Sequence, residues 1–154
     1  MSEQVEDRRD GLDGLLCFDL YAASRAVTAA YRPVLDEHGL TYPQYLVLTV
    51  LWSQGSCSIR HLAERLRLDH ATLTPLLRRM EAGGLVERSR STTDERVVLV
   101  RPTARGREIG VHADDIQCRI GEAMGLTLEQ GTALQHLLRT VERHARQVDV
   151  PADA

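Results

Sequence analysis

The chain has 154 residues, 43% of them hydrophobic, which is enough to bury a core and fits the range of one domain. Its formal net charge is −3, yet residues 58–107 hold 11 arginines against 6 acids while the remainder holds 8 against 16. No stretch approaches the ~18 apolar residues of a membrane span, and three widely spaced cysteines exclude a disulfide framework and a paired-cysteine zinc site.

The opening ten residues carry acids and no apolar segment, so a soluble, cytoplasmic protein with reduced thiols and no membrane contact is expected. From Leu12 to about Arg32, Leu12, Leu15, Leu16, Leu20, Ala23, Val27, Ala30 and Tyr31 recur at three- and four-residue steps and predict a long amphipathic helix. Pro33 is expected to interrupt or restart it, with Gly39 closing the short piece that follows. Thr41 and Gln44 have the spacing of a capping box, and the run from Tyr45 to Trp52 reads as a buried helix.

Ser58 opens the next helix, with Ile59, Leu62, Ala63 and Leu66 on one face, and a short turn at Arg67-Leu68-Asp69 leads into another. In that helix Leu73, Leu76, Leu77 and Met80 face inward, Pro75 is expected to bend the axis, and Gly83-Gly84 stops it. Two helices joined by a tight turn have helix-turn-helix form. The period then changes from 3.6 to 2, predicting a β-hairpin wing about the polar turn Ser89 to Asp94. Thr103 caps a further helix to about Gly121, and Thr127 with Gln130 caps a last one to about Val148.

The expected order is five helices, a hairpin and two helices: a mainly α fold of the α+β kind, one domain over 1–154. Its winged helix-turn-helix covers about 41–102, and its terminal helices cover about 12–39 and 103–148. The terminal helices carry more apolar surface than a small winged domain covers, which points to a two-fold homodimer; folding back onto their own domain is the alternative.

The outer face of the second helix of the motif presents His70, Thr72, Thr74, Arg78 and Arg79, residue types that hydrogen-bond base edges or clamp phosphate in a major groove. The wing adds Arg88, Arg90 and Arg96, with Asp94 placed to orient Arg96 across the turn, a form suited to the minor groove or its phosphates. For each arginine the alternative is a surface ion pair worth about 0–1 kcal/mol. The expected partner is double-stranded DNA bearing an inverted repeat. The six histidines show neither i, i+4 pairing nor a metalloprotease spacing, so no metal or cofactor is expected. No βαβ pattern with paired cysteines marks a thiol peroxidase, so the chain is not expected to be an enzyme.

Leu40-Thr41 with Gln44, Leu62-Ala63-Glu64-Arg65-Leu66, Leu73 to Glu81 with Gly84-Leu85-Val86, and Asp94-Glu95-Arg96 followed by Thr103 and Gly106 resemble the MarR family of winged-helix regulators. Pro102 stands where that family usually has leucine, which is expected to shorten the second wing strand. The runs Leu16 to Arg25, Ala30 to Pro33, Leu40 to Tyr45 and Leu73 to Leu77 resemble its organic hydroperoxide resistance regulators more specifically. That resemblance implies a repressor in which Cys17 is the reactive thiol, Tyr31 and Tyr42 of the partner subunit hydrogen-bond it, and Tyr21 lies near the same pocket. Organic hydroperoxides would be the inducers. Cys118 lies where two-cysteine members keep a resolving cysteine; capping of Cys17 by a small thiol is the alternative, and Cys57 reads as structural. A repressor released by a phenolic or aromatic acid, with Cys17 incidental, stands as the other reading.

Overall fold

A computed structural model describes residues 11–147, which divide into two compact units, the first ending at Ile120 and the second beginning at Gly121. The elements run α1 (Leu16–Asp36), α2 (Tyr42–Gln54), β1 (Cys57–Ser58), α3 (Ile59–Leu66), α4 (His70–Ala82), β2 (Val86–Arg90), β3 (Val98–Pro102), α5 (Ala104–Gly110), α6 (Ala113–Met124) and α7 (Leu128–Ala145). Among the described residues four helices precede the hairpin and three follow it, instead of five and two.

Both changes in count have local causes. Helix α1 continues through Pro33 to Asp36; the carbonyl that the missing proline N–H leaves unpaired belongs to exposed Ala29, where water can satisfy it. The segment expected as one helix from Thr103 to Gly121 breaks at Val111 and His112. Helix α5 ends on Gly110, the N–H groups of Val111 and His112 donate to Glu108 and Ile109 three residues back, and α6 takes up at Ala113. A Cβ on Gly110 would sit 2.9 Å from Trp52 Nε1, so the glycine admits the indole against the α5 backbone where a side chain would hold them apart.

Helix α2, whose Tyr45, Val47, Leu48 and Leu51 are all buried, runs through the middle of the core. Packed with it are Leu62 of α3, Leu73, Leu77 and Met80 of α4, Val100 of β3 and Ile116 of α6. The four residues expected to face inward on α4 all do, and Pro75 lies on its exposed side. The expected caps at Thr41, Ser58, Thr103 and Thr127 are present as well.

The sheet has the order β1-β3-β2, antiparallel throughout, with Val86 opposite Pro102 and Arg90 opposite Val98. Pro102 therefore closes a strand of five residues without truncating it. Strand β1, two residues long and paired with Leu99 and Val100, was not expected. The wing turn lies beyond Arg90, where Ser91 N–H donates 2.8 Å to the Val97 carbonyl, so it is shifted two to three residues from the Ser89 to Asp94 turn expected. At the other end of the hairpin, Thr103 Oγ1 donates 2.6 Å to the Gly84 carbonyl and accepts from Gly106 N–H at 3.1 Å. A Cβ on Gly106 would run into the Leu85 carbonyl oxygen, so this close contact between α5 and the start of the wing requires glycine.

Candidate functional site

Two groups of residues singled out by the sequence are positioned by this fold. The first is carried by α4 and the wing. The Asp69 carboxylate accepts from Thr72 N–H at 2.6 Å, which caps α4 and holds that carboxyl below the usual range. Ahead of it, α3 ends on Arg67 in the left-handed region at φ 57°, and Leu68 N–H donates 3.0 Å back to the Ala63 carbonyl, making the sharp corner of the helix-turn-helix. With Leu73, Leu76, Leu77 and Met80 buried, His70, Thr72, Arg78 and Arg79 are exposed and Thr74 is half-buried. His70 and Thr74 line an open cavity of about 390 Å³ together with Arg60 of α3 and Arg96 of the wing, so the recognition face and the wing border one groove. Arg60 was not among the expected site residues; its place at the start of a helix gave no sign that α3 would flank this groove.

The wing arginines divide. Arg88 Nη2 lies 2.6 Å from Glu81 Oε2 and Nε lies 2.9 Å from the same oxygen, while Arg88 N–H donates 3.2 Å to Glu81 Oε1. At 28% side-chain exposure, Arg88 is committed to tying the wing's first strand to the end of α4. Arg90 donates 3.3 Å to the Glu95 carbonyl within the wing, and Arg96 is 95% exposed with its Nε 3.8 Å from Asp94 Oδ1. Asp94 also accepts from Arg96 N–H at 3.0 Å, so it orders the turn that presents Arg96.

The second group concerns the thiol. Cys17 is the second residue of α1, exposed, in the first turn where the unpaired N–H groups and the helix dipole favour negative charge. Tyr31 and Tyr42 lie together, ring centroids 4.7 Å apart, and Tyr45 stacks on Tyr31 at 5.5 Å. Gln117 of α6 donates to the Tyr45 hydroxyl. Burial, then the neighbouring Tyr45 and Tyr42, pushes the Tyr31 phenol up to about 12, and burial raises that of Tyr42. Like any phenol at neutral pH, both keep their proton and can act as O–H donors.

Fourteen residues separate Cys17 from Tyr31 on one continuous helix, which places them about 21 Å apart along its axis. Among the described residues no hydrogen bond joins Cys17 to a phenol of its own chain. Tyr21 is exposed one turn beyond Cys17, with the Arg25 guanidinium 5.5 Å from its ring centroid. Cys118 is exposed on α6; Cys57 is buried in β1, and burial raises its thiol above the ordinary value, which suits an inert packing role.

The raised Tyr31 value has a consequence for stability. Its folded value lies above the unfolded one near 10, so the stabilisation is complete below about pH 10 and lost as the pH climbs towards 12. The expected loss is roughly 1–2 kcal/mol, and Tyr31→Phe removes that alkaline slope. Urea midpoints of both proteins between pH 9 and 12 (about the range set by a phenol near 10) check this; parallel curves would contradict it.

Residues 40–98 match the model of the MarR family. The organic hydroperoxide resistance transcriptional regulator of Bacillus subtilis is 44% identical over 126 residues, covering 82% of this chain and 84% of that protein. The HTH-type transcriptional regulator TtmR of Methylorubrum extorquens is 44% identical over 156 residues, covering 99% of this chain and 80% of its own. Among solved structures, reduced AbfR bound to DNA superposes with a TM-score of 0.69 at 30% identity, covering 84% of this chain and 91% of that one.

Proposed function

The chain belongs to the MarR family of transcriptional regulators, and from that premise we propose that it is a homodimeric repressor which holds an inverted-repeat operator while Cys17 is reduced and releases it when an organic hydroperoxide oxidises that thiol. The observation that carries this reading is the distance of about 21 Å along α1 between a thiol in a first helical turn and two adjoining phenols, Tyr31 buried and Tyr42 half-buried. Only a second chain can bring Tyr31 and Tyr42 to Cys17, so a two-fold pairing that does so makes the redox site and the subunit seam one place.

Two phenolic hydrogen bonds and the α1 dipole stabilise the thiolate in that arrangement. The thiolate attacks the terminal oxygen of R–O–O–H; the O–O bond breaks, sulfur gains the hydroxyl as sulfenic acid, and the alkoxide takes a proton from water and leaves as an alcohol. A second thiol, that of Cys118 or a small cellular one, then displaces the hydroxyl as water and forms a disulfide. Phenols and leucines around the sulfur favour alkyl over hydrogen peroxide, since the alkyl group gains about 25 cal/mol per Å² buried. Converting Cys17 from acceptor to oxidised sulfur removes its phenol contacts and shifts the helices that set the spacing of the two reading heads.

On the DNA, His70, Thr72, Thr74, Arg78 and Arg79 of α4 enter the major groove, and Arg90 and Arg96, the latter ordered by Asp94, follow the adjacent backbone or minor groove. Arg88, paired with Glu81 through Nε and Nη2, would reach phosphate only with its remaining guanidinium donors. Access to an operator places the protein in the cytoplasm.

The test uses a duplex selected from a random pool by the reduced protein. Cumene hydroperoxide at near-stoichiometric amounts is expected to release it, with a thiol reductant restoring binding, while salicylate leaves the complex intact. A complex indifferent to the peroxide, or one released by salicylate whether or not the thiols are blocked, would overturn the reading in favour of ligand control.

A further inference from the structure

Tyr45 of α2 is 1% exposed, yet its hydroxyl is met by Gln117, an exposed residue of α6 whose side-chain N–H donates to it. The Tyr45 ring is packed on two sides, against Tyr31 at 5.5 Å between centroids and edge-on to Trp52 at 6.0 Å. The Gln117 amide is therefore anchored to the middle helix of the core.

An amide nitrogen carries two hydrogens, and one remains after Tyr45 has taken the first. Its destination shows in the Tyr31 phenol, which burial, Tyr45 and Tyr42 push up and which the Gln117 amide pulls down. A hydrogen bond lowers a phenol when it is donated to the oxygen, because it stabilises the phenolate; accepting the O–H proton acts the other way. The Tyr31 oxygen thus has its donor within its own chain. Among the described residues no acceptor is joined to the Tyr31 O–H, so that proton is left for a partner outside the chain. Tyr42 has no such amide: burial and Tyr45 alone act on its phenol.

We propose that Gln117 is a positioning residue of the redox site: by donating to the Tyr31 hydroxyl it turns the O–H outward and strengthens it as a donor to Cys17 of the partner subunit. This rests on the redox function proposed above. A phenol that accepts one hydrogen bond donates the next more strongly, by roughly 10–30%, and its hydroxyl is no longer free to turn inward. Of the two phenols that the site shares, Tyr31 is then the stronger donor, and α6 takes part in setting the reactivity of a thiol on the other chain.

The test reads the thiol itself. Reduced full-length protein is alkylated with iodoacetamide between about pH 5 and 9, a span that brackets ordinary and depressed thiols, and Cys17 is followed by peptide mass spectrometry. Its oxidation by cumene hydroperoxide near neutral pH is timed alongside. Gln117→Leu is expected to raise the pH midpoint of Cys17 alkylation by about 0.7 and to slow the oxidation about fivefold, the weight of one ordinary hydrogen bond. Gln117→Glu has the same length but, once ionised, only accepts; it draws the Tyr31 O–H inward and is expected to slow Cys17 at least as much. Position 117 is exposed, so both variants are expected to keep the fold, checked by circular dichroism. In a Tyr31→Phe background Gln117→Leu is expected to change nothing further, because the amide acts through that hydroxyl; a merely structural role would show in the double variant too. A Gln117→Leu or Gln117→Glu protein whose Cys17 behaves as in wild type, or an effect that persists without the Tyr31 hydroxyl, would overturn the inference and leave the redox reading standing. Tyr31→Phe with an unchanged Cys17 would remove both.

Discussion

Replacing Cys17 with serine is expected to leave operator affinity within about threefold of wild type, as for an exposed substitution outside the reading face, and to abolish release by organic hydroperoxide. Serine keeps the size of the side chain and can accept the phenolic hydrogen bonds, but its oxygen cannot be oxidised by a peroxide. The scale of what is lost follows from the switch itself: moving a complex from ~99% bound to ~1% bound requires the two redox states to differ about 10⁴-fold in affinity. Hydrogen bonds to two phenols, at ~1 kcal/mol each, fall short of that span, so the oxidised sulfur must reposition both reading heads. Fluorescence anisotropy of an operator duplex, with and without cumene hydroperoxide, reads both halves of the expectation. A serine variant that still releases DNA on peroxide would move the trigger to another residue. Cys57→Ser offers the contrast: its thiol is buried and its ionisation pushed up, so the peroxide response is expected to persist.

Periodicity and capping made the DNA-reading half of the fold legible. The inward stripe on α4, the caps at Thr41, Ser58, Thr103 and Thr127, and the change of period at Gly84 each rest on interactions within a few residues, which is why they can be read along the chain. What stayed hidden depends on contacts distant in sequence. Strand β1 is two residues long and exists because Leu99 and Val100 lie beside it, and the close approach of the Trp52 indole to Gly110 at the end of α5 joins residues more than 50 positions apart. Val111 fits an apolar helical face in the sequence and proves exposed because the break turns it outward. Arg88 and Arg90 are equivalent on paper; only the position of Glu81 at the end of α4 makes one an anchor of the wing. In the redox group, the tyrosine pair could be named from resemblance, but the burial that raises the Tyr31 phenol comes from packing that includes Tyr45.

The largest effect on assembly is expected from paired charges on α7. This helix has 18 residues and not one is buried, although Leu134, Leu138 and Val141 recur at steps of four and three on one face and Leu137 beside them is 61% exposed. Such a stripe in a helix of that length needs a covering surface, and in the homodimer proposed above a second copy supplies it. Under two-fold symmetry Leu134→Glu with Leu138→Glu changes four side chains per dimer. Each buried leucine contributes at least about 1.5 kcal/mol, so the pair of substitutions weakens association by about 6 kcal/mol or more, roughly 10⁴-fold in Kd. Because both positions are exposed in the single chain, the variant is expected to remain helical. Sedimentation should then give the mass of one 17.2 kDa chain at concentrations where wild type is a dimer. Operator binding should fall by at least ~10³-fold, the usual gap between specific and non-specific affinity, because one reading head on one half-site has lost its partner. A doubly substituted protein that still sediments as a dimer and binds its operator as wild type does would place the subunit seam elsewhere, and with it the meeting of Cys17 and the phenols.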